Sequence, residues 1–261
     1  MEIWQILVLA LVQGLTEFLP VSSSAHLIVA NHLFGWRDQG LSMDVAVHVG
    51  SLLAVMVWFR KDLMAMVSNQ HAPAFPEFNG RVLLGWLAVM TLPLVICGAL
   101  FADQISTQLR RIEVIGVASI VFGLVLWLAD RLGRRAQTRA TPPAMLSMGL
   151  AQALALIPGT SRSGITMSAG LAAGLTRQTA SRWAFLMAIP ALGAAGVYSA
   201  WDLWRTGADA PWGEFALAVA ASAVGAWACI GAFLGLVDRL GMLPFVLYRI
   251  ALGVLLLWIS R

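Results

Sequence analysis

The chain has 261 residues, of which 59% are hydrophobic and 11% are charged, and its mean hydropathy is +0.80. This composition leaves no room for a soluble domain and is typical of a polytopic helical membrane protein. The net charge of +4 comes from arginines in short loops, which favours contact with anionic lipid head groups; nothing resembles a nucleic-acid-binding module.

The first predicted element is a helical hairpin over residues 3–34, broken at Pro20. Each arm is too short to cross about 30 Å of hydrocarbon, so the pair is predicted to be re-entrant. Full-length spans are predicted to follow at 42–59, 82–102 and 111–129, with a polar stretch at 60–81 between the first two.

The second half of the chain repeats this order. A hairpin at 144–174, broken at Pro158, precedes predicted spans at 179–200, 214–236 and 242–260. The loop at 130–143 is the most basic, which places it in the cytoplasm. On the same side fall ten basic residues: Arg60, Lys61, Arg81, Arg131, Arg134, Arg135, Arg139, Arg177, Arg182 and Arg239. Five fall on the other side: Arg37, Arg110, Arg111, Arg205 and Arg261.

The predicted fold is therefore an all-α integral membrane protein with six transmembrane helices and two re-entrant helical hairpins. The chain forms a single membrane domain, 1–261, in which 1–130 and 144–261 are two repeats. Because each repeat has an odd number of crossings, the second is inverted relative to the first, and both termini face outward. The two hairpins then enter from opposite faces and meet near the midplane.

Ionisable residues accompany the two breaks. An ionisable side chain at the bilayer centre costs roughly 2.5–3.5 kcal/mol on insertion scales, so Glu17, His26 and Arg162 are expected to face protein or water. Proline pushes the residue before it out of the helical region, and a new helix is expected at each hydroxyl cluster, 22–24 and 160–163. Two helix N-termini directed into one polar cavity form an anion site.

The spacing of polar residues suggests which side chains converge. Gln13 and Glu17 share one helix face, Ser23 and His26 share another, and Arg162 shares a third with Thr166. Arginine offers a planar donor fork to phosphate oxygens, and a carboxylate beside an anion site suits a divalent cation, Mg²⁺ or Ca²⁺. The set predicts phosphoryl chemistry.

Two blocks resemble signature motifs of the undecaprenyl-diphosphate phosphatase family, also called the bacitracin-resistance protein family. They are QGLTEFLPVSSSAHL at 13–27 and PGTSRSGIT at 158–166, and the segment YRIALG at 248–253 is also similar. The first motif has Glu or Gln, three residues, then Glu. Since Gln13 fills its first place, Glu17 is taken as the principal metal ligand.

The resemblance implies hydrolysis of a C55 isoprenyl diphosphate to its monophosphate with a divalent cation, on the outer side of the bacterial inner membrane. This reaction recycles the lipid carrier for cell-wall synthesis. The expected partners are the polyprenyl diphosphate and membrane lipids, with a homodimer left open. The expected catalytic residues are Glu17, Ser23, His26 and Arg162. The expected diphosphate-binding residues are Gln13, Ser22, Gly159, Thr160, Ser161, Ser163 and Thr166.

The mechanistic hypothesis is attack by Ser23 on the terminal phosphorus, with His26 as general base or as orienter of the hydroxyl. Attack by His26 itself remains the alternative. Arg162 and the N–H groups of 159–163 would stabilise the phosphoryl oxygens.

Two rival functions share some of these features. An inverted-repeat transporter or flippase could move an anion without cleaving it. The other lipid-phosphatase family needs a PSGH-type motif and a later histidine, and no histidine follows His71.

Overall fold

The computed structural model describes residues 2–36, 40–134, 136–206 and 212–260. Arg37, Arg135 and Arg261, which entered the charge count used for orientation, lie outside the described residues. The described chain is nearly all helical. In chain order the helices are α1 (Ile3–Glu17), α2 (Ser23–Phe34), α3 (Gly40–Trp58), α4 (Arg60–Ser68), α5 (Gly80–Leu100), α6 (Ala102–Thr107), α7 (Ile112–Leu132), α8 (Pro142–Gln152), α9 (Arg162–Ala172), α10 (Arg177–Leu186), α11 (Ala188–Thr206), α12 (Trp212–Leu240) and α13 (Leu243–Ile259).

Several of these helices can cross a membrane. By length and apolarity the described residues contain four such segments: Gly80–Leu100, Ile112–Leu132, Arg177–Tyr198 and Trp212–Leu240. The third of these runs through α10 into α11. A fifth candidate joins Met43–Trp58 to Arg60–Ser68 across a bend of 70°. The last predicted span, 242–260, is the shorter apolar helix α13 of 17 residues. The protein is therefore a multi-pass helical membrane protein with four to five candidate spans, and a count of six stays a prediction.

The polar stretch at 60–81 contains the only strands among the described residues, so the fold is not strictly all-α. After α4, β1 (His71–Ala72) and β2 (Phe75–Asn79) form an antiparallel hairpin. The carboxylate of Asp62 accepts a hydrogen bond of 2.7 Å from the Ala74 backbone N–H in the turn. Phe75 is buried against the indole of Trp183, with 4.7 Å between ring centroids.

Each of the two broken segments packs on a helix from the other half of the chain. Helix α1 packs on α12, while α8 packs on α5, and α7 packs on α13. Glycine permits the first two approaches: a Cβ on Gly14 would lie 2.4 Å from the Ser222 carbonyl oxygen, and one on Gly149 would lie 2.8 Å from Met90 Cα. Small residues at helix interfaces let backbones approach in this way.

The helix breaks occur where the sequence predicts them. Pro20 lies between α1 and α2, and Pro158 lies between a 3₁₀ turn at Ala153–Leu156 and α9. A serine with positive φ precedes each outgoing helix: Ser22 has φ 70° and ψ 94°, and Ser161 has φ 66° and ψ 110°. A non-glycine residue in this region costs roughly 1–2 kcal/mol. The same unusual backbone at both breaks therefore marks a shared local design.

Candidate active site

Glu17 is the last residue of α1 and lies at the first break. It is 9% exposed, and its Oε2 accepts two hydrogen bonds, one of 2.9 Å from Gln13 Nε2 and one of 2.8 Å from Ser23 Oγ. Gln13 reaches it because residues four apart share a helix face. Ser23 reaches it because the chain reverses at Pro20 and α2 starts beside the end of α1. The carboxylate is thus placed to receive the serine proton.

Arg162, at the second break, lies beside Glu17 of the first break. Its Nη2 lies 3.5 Å from Glu17 Oε1, and its Nη1 donates to the Ala184 carbonyl at 2.8 Å. The exposed fractions of the two side chains are 11% and 8%. The buried Nε has no hydrogen-bond partner among the described residues. Because the contact with Glu17 is long, the guanidinium keeps donor capacity for an anionic ligand.

Both ring nitrogens of His26 contact groups other than the Ser23 hydroxyl. Its Nδ1 lies 2.7 Å from the Ser22 carbonyl oxygen, and its Nε2 lies 2.6 Å from the Tyr248 hydroxyl. A carbonyl only accepts, so Nδ1 carries the proton and, in the neutral ring, Nε2 accepts from tyrosine. The Ser23 hydroxyl has Glu17 as its acceptor instead. The structure therefore pairs Ser23 with the carboxylate and holds the imidazole from two other sides.

The second motif divides into residues that shape the site and residues that stabilise its backbone. Ser161 Oγ caps α9 by accepting from the Gly164 N–H at 3.2 Å. Ser163 Oγ donates to the Leu19 carbonyl at 2.8 Å and so ties the two breaks together. Thr166 Oγ1 donates to the Arg162 carbonyl at 2.8 Å. Ser163 and Thr166 are fully buried, so their hydroxyls support the backbone of the site.

Gly159 and Ser22 hold the turns themselves. Gly159 has φ +92°, and a Cβ there would lie 2.4 Å from the Ile115 carbonyl oxygen. Only glycine fits this position without strain. Ser22 is 3% exposed, makes no capping hydrogen bond through its side chain and lies 3.2 Å from Ser24, Oγ to Oγ.

Buried polar atoms without a protein partner are concentrated here. Among the described residues there are six such side-chain atoms, and three belong to the site: Gln13 Oε1, Thr160 Oγ1 and Arg162 Nε. The others belong to Gln152, Gln178 and Trp183. A buried polar group without a partner is costly, so these three atoms on the two broken segments favour a bound ligand there.

The oxygen ligands suit a hard divalent cation bound together with phosphate. No group of three or more His, Cys, Asp or Glu side chains close enough to hold a metal occurs in the described part of the chain. Mg²⁺, however, is commonly held by one or two carboxylates and substrate phosphates. Glu17 provides the carboxylate, and Gln13 provides a buried amide oxygen without a partner. These residues fit a cation shared with a diphosphate.

Two residues of α13 complete the site, and the sequence reasoning assigned neither a role. Tyr248 binds His26, and its ring lies 5.4 Å from the imidazole in a stacked arrangement. Arg249 is fully buried and contacts both breaks. The sequence did contain a signal for Arg249, because an arginine within an apolar membrane helix is by default a candidate functional residue.

Comparison with known proteins gives a consistent result over the whole chain. A model of the family described as bacitracin resistance protein BacA matches residues 6–255. A relative from Alcanivorax borkumensis named undecaprenyl-diphosphatase is 49% identical over 265 residues, covering 100% of both chains. Another of that name from Chromohalobacter salexigens is 48% identical over 269 residues, again covering 100% of both. Undecaprenyl-diphosphatase 1 of Pseudoalteromonas translucida is 47% identical over 262 residues and 97% of each chain.

Proposed function

This chain belongs to the family of the bacitracin resistance protein BacA, and we propose that it hydrolyses undecaprenyl diphosphate to undecaprenyl phosphate and inorganic phosphate where Glu17, Ser23 and Arg162 meet. Full-length identity near 48% to proteins named undecaprenyl-diphosphatase supports the reaction. A role in bacitracin resistance and in recycling the cell-wall lipid carrier follows from it.

The observation that carries the assignment is the Ser23 hydroxyl, which donates to Glu17 across 2.8 Å while Arg162 lies against the other carboxylate oxygen. These contacts support a mechanism in which Ser23 is the nucleophile, Glu17 is the proton acceptor and the Arg162 guanidinium binds phosphate. A transporter of anions needs the cation, but it has no use for a serine activated by a carboxylate. Hydrolysis therefore accounts for more of the site than transport does.

In the first chemical step, Glu17 takes the Ser23 proton as the serine oxygen bonds to the terminal phosphorus. The bond from that phosphorus to the bridging oxygen breaks, and the lipid monophosphate leaves with the electron pair. Water then attacks the phosphoserine and the bond from phosphorus to the serine oxygen breaks. Glu17 returns its proton to that oxygen, and the protons of water stay on the released inorganic phosphate. Arg162 Nε and the N–H groups that begin α9 bind the equatorial oxygens, whose charge they stabilise in the transition state.

Glu17 and Gln13 would hold a divalent cation, Mg²⁺ or Ca²⁺, beside the diphosphate. When bound, such a cation neutralises charge on the phosphate oxygens. Gln13 serves this site through its free Oε1 while its Nε2 fixes the carboxylate.

The proposed reaction requires that the lipid diphosphate can reach the site from the membrane. We place the chain in the bacterial inner membrane with six spans, two re-entrant hairpins and the site open to the outer side. The equivalent serines at the two breaks and the exchanged packing of α1 and α8 support an inverted repeat.

Phosphate release in detergent tests the proposal, because transport has no meaning there. Purified protein with a polyprenyl diphosphate should release phosphate with Mg²⁺ or Ca²⁺ and stop in EDTA. Ser23→Ala and Arg162→Ala should each lose at least about 10²-fold in kcat while remaining folded. If the folded parent releases no phosphate with any divalent cation, the enzyme assignment fails and transport becomes the explanation of this site.

Trapping the intermediate distinguishes serine from histidine as the nucleophile. Reactions with substrate labelled in the terminal phosphate are quenched in parallel in acid and in base, and acid-stable label should remain on the parent and be absent from Ser23→Ala. An acid-labile, base-stable adduct that disappears in His26→Ala would assign the attack to the imidazole.

A further inference from the structure

Arg249 is the most completely enclosed charged side chain of the described chain. It is 0% exposed, in the middle of the apolar helix α13. Its Nη2 donates to the carbonyl oxygens of Gly159 at 2.9 Å and Thr160 at 2.7 Å, and its Nε donates to that of Ser119 at 3.2 Å. Its Nη1 lies 3.5 Å from the Pro20 carbonyl oxygen. One guanidinium therefore touches the backbone of both breaks.

The surrounding helices make room for this side chain. A Cβ on Gly164 of α9 would lie 2.7 Å from Arg249 Nη1, and one on Gly123 of α7 would lie 3.3 Å from Arg249 Cβ. Alanine at 164 would force the Arg249 guanidinium to shift, and its methyl group would also lie 3.2 Å from Ser161 Cβ and Oγ. The chain thus carries a glycine against the head of the arginine and another against its stem.

Among the described residues the charge of Arg249 has no acidic partner. Among the residues that the structure describes, no carboxylate forms an ion pair with it, and all its hydrogen bonds end on main-chain carbonyls. A buried cation without a counterion is expensive, and replacement by an apolar residue is often tolerated or stabilising where only packing matters. An arginine here is better explained by the conformation it imposes and the positive charge it adds beside an anion site.

We propose that Arg249 is a positioning residue for the hydrolysis of the diphosphate. It binds the carbonyls of 159–160 from behind, so that the first N–H groups of α9 and the Arg162 side chain face the substrate. It holds the Pro20 carbonyl of the other break in register with them. Because it is fully buried, it acts through these groups and does not touch the substrate itself. The proposal rests on the phosphatase function proposed above.

Conservative variants separate positioning from packing. Arg249→Lys keeps the charge but offers no planar fork, and Arg249→Met removes both. We expect Arg249→Met to lose about 100-fold in kcat and Arg249→Lys about tenfold, with KM within threefold of the parent, because the oriented N–H groups act mainly in the transition state. Kinetics are measured in detergent well below the melting temperature of each variant.

Arg177→Met is the matched control. Arg177 is also an arginine with buried partners, since its Nε and Nη2 bind the Asp130 carboxylate at 2.7 and 2.8 Å, but it is outside the site. Its loss should lower the melting temperature and leave kcat within twofold of the parent. The inference is overturned if Arg249→Met keeps kcat within threefold, or if Arg177→Met loses as much kcat as Arg249→Met.

If neither Arg249 variant folds, Gly164→Ala decides the matter with the arginine still present. The added methyl group displaces the guanidinium and should lower kcat at least tenfold, and unchanged kcat refutes the positioning role. The two proposals fail in different ways. An inactive parent refutes the phosphatase function and the inference with it, whereas an active parent with fully active Arg249 variants refutes the inference alone.

Discussion

Glu17 is the residue on which the site depends, because three other site residues contact its two carboxylate oxygens. Oε2 accepts from Gln13 and Ser23, and Oε1 faces Arg162. A buried carboxylate is retained at such a place only when its partners are arranged around the charged form. The proposed reaction uses its negative charge and its ability to take a proton, and an amide provides neither.

Glu17→Gln should abolish turnover while leaving the side-chain volume unchanged. The amide cannot take the Ser23 proton and leaves Arg162 without an anionic neighbour, so kcat should fall by at least about 10³-fold. Glu113→Gln is the control, because Glu113 forms an exposed pair with Arg111, and it should keep the rate of the parent. Phosphate release by both variants measures the effect. A Glu17→Gln enzyme within tenfold of the parent would remove the carboxylate from the mechanism.

Tyr248→Phe tests the role of the histidine. The variant keeps the stacked ring but loses the hydroxyl that lies 2.6 Å from His26 Nε2. The imidazole is then held only through Nδ1, and kcat should fall about tenfold, within the range of a single hydrogen bond to a positioned group. Tyr198→Phe is the matched control, because Tyr198 is the only other tyrosine and is 69% exposed. Equal rates for the two variants would show that the Tyr248 hydroxyl has no part in the reaction.

At the scale of elements, the site exists because two helices stop and two others start at the same place. Ser22 and Ser161 adopt nearly the same backbone angles before α2 and α9. The Ser163 hydroxyl then bonds to the Leu19 carbonyl and joins the second helix start to the first break. Since helix N-termini carry partial positive charge, this junction attracts an anion before any side chain is considered.

The position of Glu17 depends on how closely α1 approaches α12. A methyl group on Gly14 would lie 2.4 Å from the Ser222 carbonyl oxygen and 2.9 Å from the Ala226 nitrogen, both backbone atoms that cannot rotate away. Gly14→Ala should therefore separate the two helices and destabilise the protein by about 1–3 kcal/mol. The melting temperature in detergent and kcat should both fall.

Gly235→Ala is the control for this helix contact. Gly235 lies on α12, is exposed, and has no atom within 4 Å of the position of a Cβ. Alanine there should leave the melting temperature unchanged or raise it, since glycine costs a helix interior about 1 kcal/mol relative to alanine. If Gly14→Ala is as stable as Gly235→Ala, the close contact between α1 and α12 is not needed for the fold.

At the scale of the whole molecule, the sequence predicted the features that depend on neighbouring residues and not those that depend on long-range packing. The breaks at Pro20 and Pro158 follow from residue type, and the pairing of Gln13 with Glu17 follows from helical spacing. The approach of Arg162 to Glu17 was expected because the two hairpins were predicted to meet. It did not predict the partner of His26, because Tyr248 is more than two hundred residues away and is brought close only by packing of α13. It also missed the hairpin at 71–79, which follows from a turn fixed by Asp62.

The proposed inverted repeat makes a prediction about the whole molecule that labelling can test. With six spans, the start and end of the chain lie on the outer side and the 130–143 loop lies in the cytoplasm. Single cysteines at Glu2, Ala136 and Ser260, in a chain whose Cys97 and Cys229 are replaced by alanine, report each position. In sealed spheroplasts, a membrane-impermeant maleimide should label positions 2 and 260 and spare 136 until the membrane is opened.

The cysteine at 260 distinguishes six spans from five. Helix α13 has 17 residues, slightly below the roughly 20 that a perpendicular span needs, but it packs along α7, a helix of 21 residues. Helices packed side by side over their length share one depth, so α13 is expected to cross with α7. If position 260 labels only in opened membranes while position 2 labels in sealed ones, the number of crossings is odd. The two halves would then not be inverted copies, and the two breaks would have to meet by some other arrangement.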